Sequence, residues 1–127
     1  MFSITRSASM TSLLILASVL PAAAAKPLIA GPVYPGIAHI VACKVVNITT
    51  APLIVTIEIV DTSIGSVLVN TGPLTLAPDH NLGTSQGGIS SHVMCRFTGA
   101  SKTKVRAGLT IYTNSGDFTD EVFVPAQ

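Results

Sequence analysis

Residues 83–87 read Gly-Thr-Ser-Gln-Gly, which fits the G-x-S-x-G pattern of hydrolase nucleophiles, and Asp79 and His80 come just before it. In that pattern a sharp strand-to-helix turn exposes the serine oxygen, here that of Ser85, above a parallel sheet. The residues after Gly87 do not resemble a helix, and the chain is much too short for the hydrolase fold. We therefore interpret the pattern as a chance match and predict no catalytic residue.

A second chemistry to consider is copper binding, suggested by His92, Met94 and Cys95. A blue-copper site needs two histidines, a cysteine thiolate and a weak methionine ligand. No histidine follows Cys95, and on a strand His92 and Met94 would face away from that cysteine. His39 and His80 are isolated, and no pair of residues has the spacing of a zinc site. We predict no metal site and no cofactor.

Basic residues form a third candidate site. Lys102, Lys104 and Arg106 alternate along the chain, so on one strand they would share a face. Arg96 could lie beside them on a paired strand, and together they could bind an anionic polymer or headgroup. The alternative is a solvated outer face that discourages edge-to-edge aggregation and that Glu121 partly neutralises. We favour the solvated face and keep anion binding as the alternative function.

Two cysteines, Cys43 and Cys95, matter most for the structure because the chain also opens with an export pattern. Residues 1–25 combine Arg6, a short apolar run and an alanine-rich cleavage site, which is typical of a signal peptide. Outside the cytoplasm two thiols tend to form a disulfide, and closing a loop of about 50 residues contributes about 4 kcal/mol. We predict an exported protein, periplasmic or extracellular, with no membrane span in the mature chain 26–127.

Charge and composition exclude some partners. Without Arg6, six Lys and Arg balance six Asp and Glu, so the mature chain has no general attraction for nucleic acid. The absence of Trp and the presence of only two Tyr argue against an aromatic platform for sugars or bases. Abundant Val, Ile, Thr, Gly and Pro are typical of strands and turns.

The elements that position these residues are short strands separated by turns. Segment 26–36, with three prolines and two glycines, predicts an extended arm ahead of the domain at 37–127. Residues 79–88, polar and rich in glycine, predict a loop. The alternation of apolar and polar residues elsewhere predicts an all-β fold, a small antiparallel sandwich of about seven strands. The predicted strands are 37–47, 53–61, 66–70, 74–77, 89–97, 104–113 and 118–124.

The predicted last hairpin has a loop at 114–117. This loop would place Phe118, Val122 and Val124 beside the inward side chains of the preceding strand, with Glu121 outward. It would also place Asp120 inward, where that side chain needs a partner or an edge position. A three-residue loop would instead mix Arg106 with Val122 and Val124 on one face, which costs more.

Four strand-and-turn motifs carry a resemblance to a known family: CKVVN at 43–47, PLIVTIEIVD at 52–61, PLTLAP at 73–78 and MCRF at 94–97. With them the chain resembles bacterial secreted immunoglobulin-like domains of the CARDB type. Val93 stands where antibody domains carry a corner tyrosine, so the antibody variant fits poorly. The resemblance implies an immunoglobulin-like extracytoplasmic module for structure or binding, and it carries over no catalytic residue.

Asn47, Ile48 and Thr49 fit the N-glycosylation sequon. In a bacterial protein, which the alanine-rich signal segment suggests, such a match usually has no function. We expect Asn47 to cap the end of a strand instead.

These features predict a non-enzymatic exported module of the bacterial envelope, acting by protein–protein contact, by self-assembly or as part of a larger structure. One route of contact is strand addition to an exposed sheet edge. The second is the apolar surface of the arm. The candidate contact residues of the arm are Leu28, Ile29, Val33 and Tyr34.

Overall fold

The computed structural model describes residues 26–113 and 122–127. The predicted signal peptide at 1–25, the hairpin loop at 114–117, Phe118 and Glu121 lie outside them. The described part of the chain contains no helix, so no helix there is long and apolar enough to cross a membrane. Its nine strands are β1 (Leu28–Val33), β2 (His39–Asn47), β3 (Leu53–Asp61), β4 (Ser66–Asn70), β5 (Leu74–Leu76), β6 (Asn81–Gly87), β7 (Val93–Thr98), β8 (Val105–Thr113) and β9 (Val122–Pro125).

The strands form two antiparallel sheets that pack face to face as a β-sandwich. The first sheet has the order β1-β7-β3-β4, with β5 also paired to β3, and the second has the order β6-β2-β8-β9. The prediction of an all-β fold of two antiparallel sheets is confirmed. Side chains from both inner faces form one core, and the largest that are fully buried are Phe97, Ile57, Ile59, Leu76, Leu109 and Val41.

Strand β3 shows why the sequence folds this way. Val55, Ile57 and Ile59 alternate with Thr56 and Glu58, and the three apolar side chains are completely buried. Burying an apolar side chain of this size contributes about 1.5–3 kcal/mol, and β-branched residues fit the pleated backbone well. The bounds predicted for β3 and β4 are those observed.

The disulfide joins the two sheets through the core. Cys43 on β2 and Cys95 on β7 are fully buried, and their Cα atoms are 5.7 Å apart. The bond links residues 52 positions apart in sequence, one from a central strand of each sheet. The predicted pairing is confirmed.

The prediction of an arm outside the domain is wrong for most of segment 26–36. Leu28 opposes Phe97 in the pairing of β1 with β7, and Leu28 and Ala30 are buried. The proline content obscured this strand, because the register breaks between Ala30 and Val33, where Pro32 stands. The segment is therefore an edge strand of the first sheet.

The prediction of a loop at 79–88 is also wrong. Strand β6 pairs with β2 without interruption, from Ile40 opposite Gly87 to Val46 opposite Asn81. Most of the side chains of β6 are exposed, and none is buried. A strand at the edge of a sheet and open to solvent does not need the apolar alternation by which strands are recognised.

The remaining strands differ from prediction mainly at their ends. The clearest case is β7, which begins at Val93 rather than at residue 89. Val124 opposes Leu109 and Val122 opposes Ile111, so both valines lie on the core side of β9, as expected. Val122 is nevertheless 55% exposed, because β9 is an edge strand.

Candidate functional site

The residues of the hydrolase-like pattern do not meet. Ser85 is exposed in the middle of β6, while Asp79 and His80 precede the strand. Ser85 lies four positions beyond Asn81 along the extended strand, a Cα–Cα distance of about 13 Å that is far beyond hydrogen-bonding range. The Nδ1 atom of His80 lies instead 2.8 Å from the carbonyl oxygen of Pro78.

The residues considered for copper binding have other partners in the structure. The sulfur of Cys95 is bonded to that of Cys43, so it is not a thiolate ligand. The ring of His92 packs against that of Tyr34, with ring centroids 5.4 Å apart. In the ranges 26–113 and 122–127 no three His, Cys, Asp or Glu side chains converge where a metal ion could bind.

Arg96 is paired with an acid rather than free to bind a ligand. Its Nε donates a hydrogen bond of 3.0 Å to Glu58 Oε1, and its Nη2 donates one of 3.1 Å to Glu58 Oε2. These hydrogen bonds raise the pKa of Arg96 above its ordinary value. The bidentate pair crosses from β7 to β3, whose register places the two residues opposite each other.

The predicted basic face divides into two separate regions. Arg96 lies between the inward residues Cys95 and Phe97, so it points outward from the first sheet. Arg106 points outward from the second sheet, which is the opposite side of the sandwich. Lys102 and Lys104 lie in the turn before β8, so these residues do not line one strand face.

One part of the basic cluster does come together. Arg106 Nη1 donates hydrogen bonds to the carbonyl oxygens of Lys102 at 2.9 Å and of Val105 at 3.2 Å. These bonds hold the guanidinium against the turn and leave its other donors available. Arg106, Lys102 and Lys104 are all exposed.

Most of the predicted contact residues of the arm are not on an open surface. Leu28 is buried in the core, and Ile29 and Val33 are half-buried. Only Tyr34, just beyond β1, is strongly exposed, at 57%. The arm therefore contributes to the sheet rather than offering an apolar contact surface of its own.

Asn47 caps the end of β2, as expected, and its side chain is completely buried. Its Nδ2 donates to the carbonyl oxygens of Ala51 at 2.8 Å and Leu76 at 3.0 Å. Its Oδ1 accepts hydrogen bonds from the backbone N–H and the hydroxyl of Thr49. With both amide hydrogens used inside the protein, the sequon nitrogen is inaccessible in the folded chain.

Asp61 ends β3 and connects it to the segment before β7. Its carboxylate accepts hydrogen bonds from the hydroxyl of Ser91 at 2.8 Å and from the backbone N–H of Ser63 at 2.9 Å. The bond from Ser91 is the main reason that the pKa of Asp61 lies below its ordinary value of 3.8.

Strand β6 is the surface that sequence reasoning missed, and the backbone bonds of β2 show how it is oriented. The N–H of Asn47 donates to the carbonyl of His80, on the β6 side, at 3.1 Å. The N–H of the next residue, Ile48, donates to Lys104, on the β8 side, at 3.0 Å. Because bonding direction alternates along a strand, the odd-numbered residues of β2 bond toward β6.

The same alternation identifies the free backbone groups of β6. Cys43 opposes Thr84, so the N–H and C=O of Thr84 point toward β2. Those of its neighbours Gly83 and Ser85 point away from the sheet. Within the described ranges β6 pairs with no strand other than β2, so these groups present an open row of donors and acceptors.

The other sheet edges carry features that hinder strand addition. On β1, Ile29 exchanges two backbone hydrogen bonds with Gln127, and Pro32 lacks an N–H. On β4 the register shifts at Leu68, which has no partner on β3. β5 has three residues, and β9 ends in Pro125. Bulges, prolines, short strands and covered edges are the usual means of preventing edge-to-edge pairing.

Strand β6 lacks all of these features. It has seven residues, no charge, no proline and an unbroken register with β2. Over residues 26–113 and 122–127 the fold and its edges define a class of protein: a disulfide-linked antiparallel β-sandwich whose edge strand β6 has no charge, proline or bulge.

No protein-family model matches the chain, and a search of curated proteins finds no relative with a similar sequence. The resemblance to CARDB-type domains therefore stays a prediction.

Proposed function

We propose that this protein is an exported, non-enzymatic interaction module with an immunoglobulin-like sandwich fold, located in the periplasm or outside the cell. Two observations support export: the signal-peptide pattern of residues 1–25 and the buried bond between Cys43 and Cys95. Structural disulfides form in oxidising compartments and are rare in the cytosol.

The module binds by strand addition at β6. The single observation that carries this proposal is that β6 combines an open backbone edge with no charge, proline or bulge. An extended segment of a partner protein, or β6 of a second copy, would pair with the outward groups of Gly83 and Ser85. Apart from Leu82, which packs against the core, the side chains of β6 are small or polar, so backbone hydrogen bonds supply most of the recognition.

Photo-cross-linking in cells that export the protein tests this function. A photoreactive residue at position 85 should give a discrete adduct, because that position lies in the contact. The same residue at position 37 is the matched control, since Ile37 is 74% exposed but lies outside every strand. Adducts at both positions, or at neither, would count against strand addition at β6.

A second candidate function is anion binding. The hydrogen bond from Arg106 to the backbone carbonyl of Lys102 supports it, because it holds the guanidinium in place at a depression that Lys102 also lines. Arg96 does not belong to this candidate site, since it is paired with Glu58 on the opposite outer face.

A further inference from the structure

We propose that the corner of the sandwich around Lys26, Lys102 and Arg106 binds an amphipathic anion, meaning one carboxylate or phosphate carried on an alkyl chain. The proposal rests on the second candidate function, anion binding, and gives that function a ligand class. It concerns a different surface from the open edge of β6.

Two adjacent depressions form this corner. One, of about 310 Å³, lies between Lys102, Arg106 and the outer side of β9. The other, of about 360 Å³, lies between Lys26, Lys102 and Gln127. Leu28 and Lys102 line both depressions, so a single ligand can extend across them. Volumes of this order match the lower range of small-molecule sites, about 300–1,000 Å³.

The rim of the corner is positively charged. Lys26, Lys102 and Arg106 line it, and no Asp or Glu side chain does. Even if Gln127 carries a terminal carboxylate, the three cations outnumber it. The guanidinium of Arg106 is already held by two backbone carbonyls, so binding an anion costs less side-chain entropy there than at a free arginine.

The floor of the corner is apolar. Leu28, Phe123, Pro125 and Ala126 line the first depression beside the cations. The Phe123 ring lies over Gly108, where even a Cβ atom would overlap with it, so the ring closes one side of the depression. Phe123 is still 63% exposed, which leaves apolar surface for a ligand to cover.

Charge and shape together favour an amphiphile over a polyanion. Three cations next to an apolar floor match one anionic head and one alkyl chain. A long polyanion would instead need a row of cations, and Arg96, which would extend such a row, faces the other way. The small volume of the depressions also favours a free, single-chain ligand over a membrane surface.

Titration of the purified exported protein with decanoate and with butanoate, followed by amide NMR, tests the proposal. Both probes should shift the signals of residues 123–127, and decanoate should bind at least about tenfold more tightly, because its longer chain covers more apolar surface. Replacing Lys102→Gln or Arg106→Gln should weaken both probes. Replacing Phe123→Ala should weaken decanoate alone.

Lys104→Gln is the matched control, because it removes a positive charge in the same turn but outside both depressions. It should leave decanoate affinity within about twofold. For each variant, the amide signals of residues away from the corner check that the fold is intact. Because Arg106 is exposed, Arg106→Gln keeps the test valid if Phe123→Ala does not fold.

Four outcomes would overturn the proposal. Equal binding of the two probes, lost in Arg106→Gln, would leave anion binding standing but remove the amphipathic ligand. If neither probe shifts any signal, both the amphipathic ligand and anion binding at this corner are contradicted. Shifts outside the corner would place the site elsewhere. Binding to phosphatidylglycerol vesicles without binding of decanoate would assign the corner to a membrane surface instead.

Discussion

The side-chain nitrogen of Asn47 donates a hydrogen bond of 3.0 Å to the backbone carbonyl of Leu76, 29 residues further along the chain. The bond is buried and connects the end of β2 in the second sheet to β5 in the first. Asn47 thus joins the two sheets at one end of the sandwich, while the disulfide joins them through the core.

Replacing Asn47→Ala should lower the free energy of unfolding by about 3 kcal/mol, because the buried carbonyl of Leu76 loses its partner and Thr49 loses two. Urea denaturation measures this loss. Thr49→Ala is the control, with an expected cost of about 1 kcal/mol, since its hydroxyl is only partly buried. Equal costs for the two variants would contradict the role given to Asn47.

Removing the disulfide with Cys43→Ala and Cys95→Ala together should cost about 4 kcal/mol, because the unfolded chain is no longer closed into a loop. Comparison of urea midpoints for the oxidised protein and the double variant gives this value. A cost below about 1 kcal/mol would show that the bond contributes little to the fold.

Arg96 should contribute to local pairing and not to anion binding. A double-mutant cycle with Arg96→Gln and Glu58→Gln should give a coupling free energy of up to about 1 kcal/mol, because both side chains retain some exposure. Arg96→Gln should leave decanoate binding unchanged, whereas Arg106→Gln should weaken it. If Arg96→Gln and Arg106→Gln lose decanoate affinity to a similar extent, the basic residues act as one binding surface.

Stability should fall at acidic pH through Asp61. Because its pKa is lower in the folded protein than its ordinary value of 3.8, its contribution is complete above that value and is lost as pH falls below it. Ser91→Ala removes the main cause of the shift. The urea midpoints of the wild type and of Ser91→Ala should therefore differ more at pH 6 than at pH 2.5, and a constant difference would contradict this account.

Much of the fold could be predicted because the central strands bury one face. In β3 from Val55 to Ile59, and along β7, every second residue is apolar and buried and the intervening residues are polar or half-buried, so the sequence carries the strand period. The disulfide followed from the two cysteines and the export pattern. The edge strands β1 and β6 were missed, because Pro32 interrupts one and the other has no buried side chain.

The candidate sites were harder to predict because they depend on which strands become neighbours. Arg96 and Glu58 are 38 residues apart in sequence and face each other only through the pairing of β7 with β3. Lys26 and Lys102 line the same depression because β1 folds into the first sheet. A stretch of Gly, Thr, Ser and Gln gave no sign that 81–87 would form an edge strand.

The open edge of β6 is tested most directly by removing one outward backbone donor without changing the rest of the strand. Ser85→Pro deletes the outward N–H, and proline is tolerated on an edge strand. Ser85→Thr, which keeps the N–H, is the matched control. The measurement is the yield of adduct from a photoreactive residue at position 87 in exporting cells. We expect Ser85→Pro to abolish the adduct and Ser85→Thr to preserve it; an undiminished adduct in folded Ser85→Pro would contradict strand addition at β6.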